Sequence, residues 1–250
     1  MSGHSKWKNI QHRKGRQDAL RGKIFTKVTK EIFVAVKNGG ADPQNNLRLK
    51  MALQKARDNN LPNDNIERTI KKASGDLEGV VYEEILYEGY GPGGVAVMVE
   101  CLTENRNRTA ADVRHAFSKH GGNLGESGCV SFLFQRKGVL TLDNEEQELD
   151  EEEVMMAALE AGAEDISSED DEIEIITAPG DYLKVKEVME QQGYQFSSAE
   201  ESMVPSTTVA LAGGDAEKMI KLMDALEDND DVQNVYANFD IDDDELASME

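Results

Sequence analysis

The chain has 250 residues, of which 39% are hydrophobic and 30% charged, and its formal net charge is −22. At roughly 100–200 residues per domain, this length and modest apolar content fit two or three small cores better than one large one. No run of about 18 apolar residues occurs, which excludes a helical membrane span, and the polar, basic stretch Met1–Lys14 argues against a secretory signal, so the expected location is the cytoplasm.

Residues 1 to about 16 lack an apolar stripe and read as an extended arm. Ile24, Phe25, Val28, Ile32, Phe33 and Val36 then recur at helix spacing up to the stop signal Asn38-Gly39-Gly40. Asp42-Pro43 reads as an N-cap followed by a first-turn proline, opening a second helix through about Asn59 with Leu49, Leu53 and Ala56 inward. Pro62 starts a third helix with Ile66, Ile70 and Ala73 inward, closed at Gly75. Three helices on short joints make a small bundle.

At Gly79 the period changes to two. Val81, Ile85 and Tyr87 alternate along a strand, Tyr90-Gly91-Pro92-Gly93-Gly94 turns the chain, and Val95, Val97, Val99 and Cys101 resume. Thr109 with Asp112 three residues on predicts a helix start, with Val113, Ala116 and Phe117 inward, and a strand is expected over 128–135. From Gly138 the order is strand (139–142), helix (151–161), short extended piece (165–168), strand (172–177), helix (182–192) and strand (195–203), the split βαβ pattern of a ferredoxin-like unit. A last strand, helix and strand follow at 207–211, 215–226 and 232–239. About 35 residues cannot bury a helix and two strands alone, so this tail is expected to complete the sheet begun earlier, the alternative being a third domain placed end to end.

The reading is therefore an α+β multidomain protein. A basic helical domain with its arm covers 1–78, and a discontinuous α/β domain covers 79–136 plus 205–240. An inserted ferredoxin-like acidic domain covers 137–204, and an acidic tail covers 241–250.

Charge is divided by position. Residues 1–75 hold 17 Lys and Arg against 6 Asp and Glu, a net +11, while residues 76–250 hold 10 against 43, a net −33. Clustered cations attract phosphate by steering and by release of condensed counterions. The arm concentrates His4, Lys6, Trp7, Lys8, His12, Arg13, Lys14 and Arg16, and Arg21 and Lys23 continue the series. Trp7, the sole tryptophan, either stacks on an unpaired base among these cations or folds back to cover the bundle. Thr103-Glu104-Asn105-Arg106-Asn107-Arg108-Thr109 joins a strand to a helix start, where Arg106 and Arg108 either meet an anion or pair with internal carboxylates.

Catalytic patterns are missing. His4, His12, His115 and His120 have no partner at metal-ligand spacing, no phosphate loop or GxSxG occurs, and Cys101 and Cys129 read as buried thiols of a reducing compartment. The acidic runs 143–153 and 169–174 lack the EF-hand pattern and read as solvated faces, open to a basic protein partner. No enzyme, metal or cofactor is expected.

Gly3-His4-Ser5-Lys6-Trp7, Gly39-Gly40-Ala41-Asp42-Pro43, the Asn-x-Pro-x-x-x-Ile-Glu-Arg-like stretch at 60–68, Tyr87-Glu88-Gly89-Tyr90-Gly91-Pro92-Gly93-Gly94 and Asn105-Arg106-Asn107-Arg108-Thr109 together resemble the YebC family, in order along nearly the whole chain. The resemblance implies a helical domain and two α/β domains, one of them discontinuous. It also implies a cytoplasmic bacterial protein from a family described as probable transcriptional regulators that bind DNA. Mitochondrial relatives are translational activators, and family members are linked to relief of ribosome stalling. The expected function is a non-enzymatic nucleic-acid-binding regulator of gene expression. A DNA-binding transcriptional regulator follows the family description, a ribosome-associated translation factor contacting rRNA or tRNA is the alternative, and a protein-interaction scaffold is the second alternative.

Overall fold

A computed structural model describes residues 17–75, 81–147, 149–169, 172–242 and 245. The protein is α+β, with three N-terminal helices followed by two α/β regions built on antiparallel sheets. Helix α1 (Gln17–Gly39) buries Val28, Ile32, Phe33 and Val36 along one side. Helices α2 (Leu47–Asp58) and α3 (Asn63–Ser74) both lie against it, adding Leu49, Ala52, Ala56, Ile66 and Ala73 to a shared core.

The second helix does not begin at Asp42-Pro43. Asp42 instead closes a turn, its Oδ1 accepting the Gln44 N–H at 3.0 Å. Asn46 is the cap of α2: its Oδ1 accepts the Leu49 N–H at 3.0 Å, while its amide donates to the carbonyls of Ala35 at 2.7 Å and Gly40 at 2.8 Å. An aspartate can cap but cannot donate, so only asparagine joins the start of α2 to the end of α1. The approach is close enough that a Cβ on Gly39 would fall 2.7 Å from the Asn46 amide.

Strands β1 (Glu83–Tyr90) and β2 (Ala96–Thr103) form an antiparallel hairpin whose register closes at Tyr90 opposite Ala96. Its turn is a short 3-10 segment, Pro92–Gly94, in which Gly93 has φ 69° and a Cβ would fall 2.3 Å from Leu211. Helix α4 (Arg106–Lys119) begins three residues before the expected Thr109, because Asn105 caps it by accepting the Arg108 N–H at 3.1 Å. Thr109 is fully buried and its hydroxyl is engaged elsewhere. A two-residue strand, β3 (Asn123–Leu124), pairs with β1 and has no counterpart in the sequence reading.

The strand expected over 128–135 is not formed at its start. The N–H groups of Gly128 and Val130 go to the two oxygens of the buried Glu88 carboxylate, at 2.7 and 2.9 Å. A carboxylate thus takes donors that a ladder would need. The strand starts at Phe134 and runs without a break through the separately expected 139–142 segment, as β4 (Phe134–Asp143).

The short helix α5 (Asn144–Gln147) leads to α6 (Glu151–Ala161), β5 (Asp165–Glu169), β6 (Glu172–Thr177), α7 (Tyr182–Gln191) and β7 (Phe196–Pro205). Strand β8 (Val209–Leu211), helix α8 (Gly213–Glu227), β9 (Val232–Ala237) and β10 (Phe239–Ile241) end the described fold.

Two compact units share the chain: among the described residues, 131–210 with 236–240 form one, and those up to 130 with 211–235, 241–242 and 245 form the other. In the first, the sheet order β5-β6-β4-β7 is fully antiparallel. Counted within the unit it reads 4-1-3-2, the ferredoxin-like order. Leu140, Leu142, Ile173 and Ile175 are buried in the same core as Val154, Ala158, Val185 and Met189 of α6 and α7. In the second unit the sheet order is β3-β1-β2-β9, so the strand at 232–237 stands beside β2. There Phe117 of α4 and Met219, Leu222 and Met223 of α8 are fully buried.

Candidate nucleic-acid interface

Helix α1 is basic in sequence, yet much of its charge is engaged internally. Lys23 pairs with Asp228 at 2.5 Å, Lys27 donates to the Glu227 carbonyl at 2.9 Å, and Lys30 donates to the Asp230 carbonyl at 2.7 Å and Asp231 Oδ1 at 2.9 Å. Four acceptors from the end of α8 to the start of β9 thus meet three lysines spaced along α1. Burial pushes the Lys27 amine down to about 8, against the pull of Glu227. Arg48 of α2 bridges Glu31 at 2.7 Å and Glu84 at 2.6 Å. Burial opposes its charge, but these hydrogen bonds outweigh burial and hold the guanidinium above its ordinary range.

Asp231 is the centre of a buried polar knot. Its side chain is 7% exposed and meets Lys30 on one oxygen. On the other oxygen it meets Arg108 at 2.6 Å, the Thr109 hydroxyl at 2.9 Å and the Thr103 hydroxyl at 3.2 Å. Burial works to raise the carboxyl pKa, but the hydrogen bonds from Arg108, Lys30 and Thr109 outweigh it and bring it down to about 2. The knot joins α1, the β2–α4 junction and the segment before β9. The Arg108 side chain remains 56% exposed, and Arg106 is exposed with no ion pair among the described residues.

A different set of cations faces water. Lys50, Lys55 and Arg57 on α2 and Arg68, Lys71 and Lys72 on α3 are all exposed, and none forms an ion pair among the described residues. The joint between these helices spans 59–62. Asn60 there has φ 55°, the sole positive φ outside glycine among the described residues, and Leu61 is buried with its N–H on the Ala56 carbonyl at 2.8 Å. Two helices on a four-residue turn with a buried apolar residue fit a helix-turn-helix. Near the start of α3 the side chains available for base edges are Asn63 and Asn65.

Of the residues singled out in the sequence, His4, Lys6, Trp7, Lys8, His12, Arg13, Lys14 and Arg16 lie outside the described residues, as does the side chain of Arg21. Lys23 is half-buried on Asp228, Arg108 is on Asp231, and Arg106 is exposed at the start of α4 with no ion pair among the described residues. The α2 cations carry a sequence signal of their own, Lys50 and Arg57 standing seven residues apart, two helical turns on one side. Asp231 had no local signal, since it is one of several acids in 228–231. Both cysteines are free thiols, Cys101 buried and Cys129 half-buried. No described helix is long and apolar enough to cross a membrane, and among the described residues no three His, Cys, Asp or Glu side chains are grouped to hold a metal.

Residues 5–76 match the model for the TACO1/YebC protein N-terminal domain, and residues 82–239 match the model for the TACO1/YebC second and third domain. A protein of Natranaerobius thermophilus named probable transcriptional regulatory protein is 58% identical over 244 residues, spanning 97% of this chain and 98% of its own. Proteins with that description from Geobacillus kaustophilus (59% over 240 residues, 96% of this chain and 98% of the relative) and Trichlorobacter lovleyi (58% over 249 residues, 100% of both) are similarly close. A crystal structure of a conserved hypothetical protein from Aquifex aeolicus superposes with a TM-score of 0.82 at 49% identity, covering 92% of this chain and 94% of that one.

Proposed function

The chain belongs to the TACO1/YebC family, whose relatives above are regulatory proteins by name and not enzymes, and on that premise we propose that it regulates gene expression by binding nucleic acid through its N-terminal helical region. The observation that carries this reading is the set of six exposed cations on α2 and α3 with no acidic partner among the described residues. Charge left unneutralised on a protein of net −22 attracts anions, phosphate among them. The basic arm adds five Lys and Arg in residues 1–16. The acid-rich remainder repels phosphate, which leaves the helical region as the attractive part of the chain.

Duplex DNA, and hence transcription, is the reading favoured by the relatives' names and by the helix-turn-helix joint at 59–62. RNA and a translational role form the second reading, favoured by aromatic side chains beside the α3 cations. In either case the protein acts in the cytoplasm.

Binding of the full chain to duplex DNA and to hairpin RNA, titrated against salt, tests the proposal. Each phosphate contact contributes a slope of about −0.9 on duplex DNA or about −0.7 on single strands in log affinity against log salt. Replacing Arg68, Lys71 and Lys72 with Glu is expected to weaken binding by about tenfold or more and to flatten that slope by about two to three. Unchanged affinity and slope would remove the helical region from the interface. Crosslinking in cells, with DNA and RNA recovered separately, decides between the two readings.

A further inference from the structure

An open groove of about 350 Å³ lies between α1 and α3, lined by Phe25, Thr26, Thr29, Phe33, Asn65 and Tyr82, with Lys30 and Lys72 at its edge. We propose that this groove receives one unpaired nucleobase, with Lys72 holding the adjoining phosphate, so that the protein binds strands whose bases are free to leave the stack. The inference rests on the nucleic-acid reading above and adds to it a site and a ligand class.

The walls suit a flat heteroaromatic ring. Phe25 and Tyr82 are half-buried, so part of each ring remains open to a ligand, and Phe33 meets Tyr82 edge-on with centroids 5.6 Å apart and planes at 79°. The Lys72 ammonium stands 6.0 Å from the Phe33 ring centre and the Lys30 ammonium 5.8 Å from that of Tyr82. Aromatic faces beside cations are the combination by which single strands are held, base on ring and phosphate on ammonium. The two lysines differ in what they have left to offer. Lys30 is fixed on Asp231 and the Asp230 carbonyl, while Lys72 is exposed and pairs with no described carboxylate.

The polar groups select further. Thr26, Thr29 and Thr69 donate their hydroxyl protons to the carbonyls of Gly22 (3.0 Å), Phe25 (2.5 Å) and Asn65 (2.7 Å). They therefore present only methyl groups and lone pairs to a ligand. The Tyr82 hydroxyl is engaged with Glu104, and its pKa is pushed up to about 12 by burial first and by that hydrogen bond second. Asn65 is the group with both a donor and an acceptor free among the described residues, and a base edge carries both. The volume stands at the lower end of the range for ligand sites, which suits one base and not a larger molecule. A closed duplex keeps its base faces stacked and offers the groove nothing.

The test uses the full chain with a 12-nucleotide single-stranded RNA, the single-stranded DNA of the same sequence and the blunt RNA duplex. Thr26→Leu with Thr29→Leu fills the groove using a strong helix former, and Asn65→Ala removes its hydrogen-bonding group without touching the core. Each variant is expected to lose about tenfold in single-strand affinity, within the range of one stacked base, and less than about twofold on the duplex. Loss on RNA alone would assign the groove to RNA, and loss on both strands to unpaired bases of either kind; both outcomes support the site. Photocrosslinking of a 4-thiouridine oligonucleotide is expected at Phe25 or Tyr82. Equal losses on single strand and duplex, or wild-type single-strand affinity in both variants, would overturn the groove while leaving the nucleic-acid reading intact. Failure of the wild type to bind either single strand would overturn the groove, and failure to bind duplex DNA as well as all three probes would overturn that reading.

Discussion

Removing the Asp231 carboxylate is the sharpest test of how the helical region is held. The carboxylate is 7% exposed and receives Lys30, Arg108, Thr103 and Thr109. Its two cationic partners do not respond alike. Lys30 is 13% exposed and would be stranded, whereas Arg108 is 56% exposed and rehydrates in place. Breaking a buried pair by deleting one partner costs about 3–5 kcal/mol. Asp231→Ala should therefore lower the melting temperature of this unit by roughly 6–20 °C, at about 2–4 °C per kcal/mol for a chain of this size. Lys30→Ala should cost less, and Arg108→Ala least. The pH dependence gives an independent check. The folded pKa of about 2 lies below the ordinary 3.8, so the contribution is fully present above about pH 4 and is lost as pH falls toward 2. A depression of nearly two pH units is worth about 2 kcal/mol. Differential scanning calorimetry of wild type and Asp231→Asn from pH 7 to pH 2.5 should show the difference shrinking across the last two units. An Asp231→Ala variant melting within about 2 °C of wild type, or a difference independent of pH, would refute the knot as a source of stability.

Asn46→Ala should cost about 2 kcal/mol in urea unfolding by removing the α2 cap and the two bonds to α1, and Asn46→Asp should not restore it, because a carboxylate cannot donate to the Ala35 and Gly40 carbonyls; full recovery with Asp would show that the cap alone matters. Lys27→Met should stabilise at pH 7 by about 1–3 kcal/mol, since burial lowers the amine to about 8 and the protein must hold it charged below that value. With a depressed folded pKa the penalty is relieved as pH rises from about 8 to 10.5, so the advantage of Met should vanish by about pH 10.5, and an advantage independent of pH would point to packing instead.

Local pattern was enough for much of the fold. The 151–161 helix and the 172–177 strand have the bounds their sequences suggest, and the ferredoxin-like order was legible because each of its elements shows its own period. Misreadings fall where a distant group competes. Asp42 and Thr109 are both good caps in isolation. Asn46 and Asn105 cap the helices because Asn46 also reaches α1 and Thr109 is drawn to Asp231, 122 residues away. The strand expected at 128 is lost to Glu88, 40 residues earlier in the chain.

The sequence by itself determined the element types, the fold class, the family and the separation of a basic first third from an acidic remainder, because periodicity, turn chemistry and charge count are local properties. Which cations are free was decided by tertiary structure alone. Lys23, Lys27 and Lys30 count toward the +11 of residues 1–75, yet they are drawn to acceptors about 200 residues on, while Lys50, Lys55, Arg57, Arg68, Lys71 and Lys72 keep their charge toward solvent. The physical reason is that a charge acts outward only when no partner is folded against it, and partners are chosen by distance in space, which the order of residues does not record.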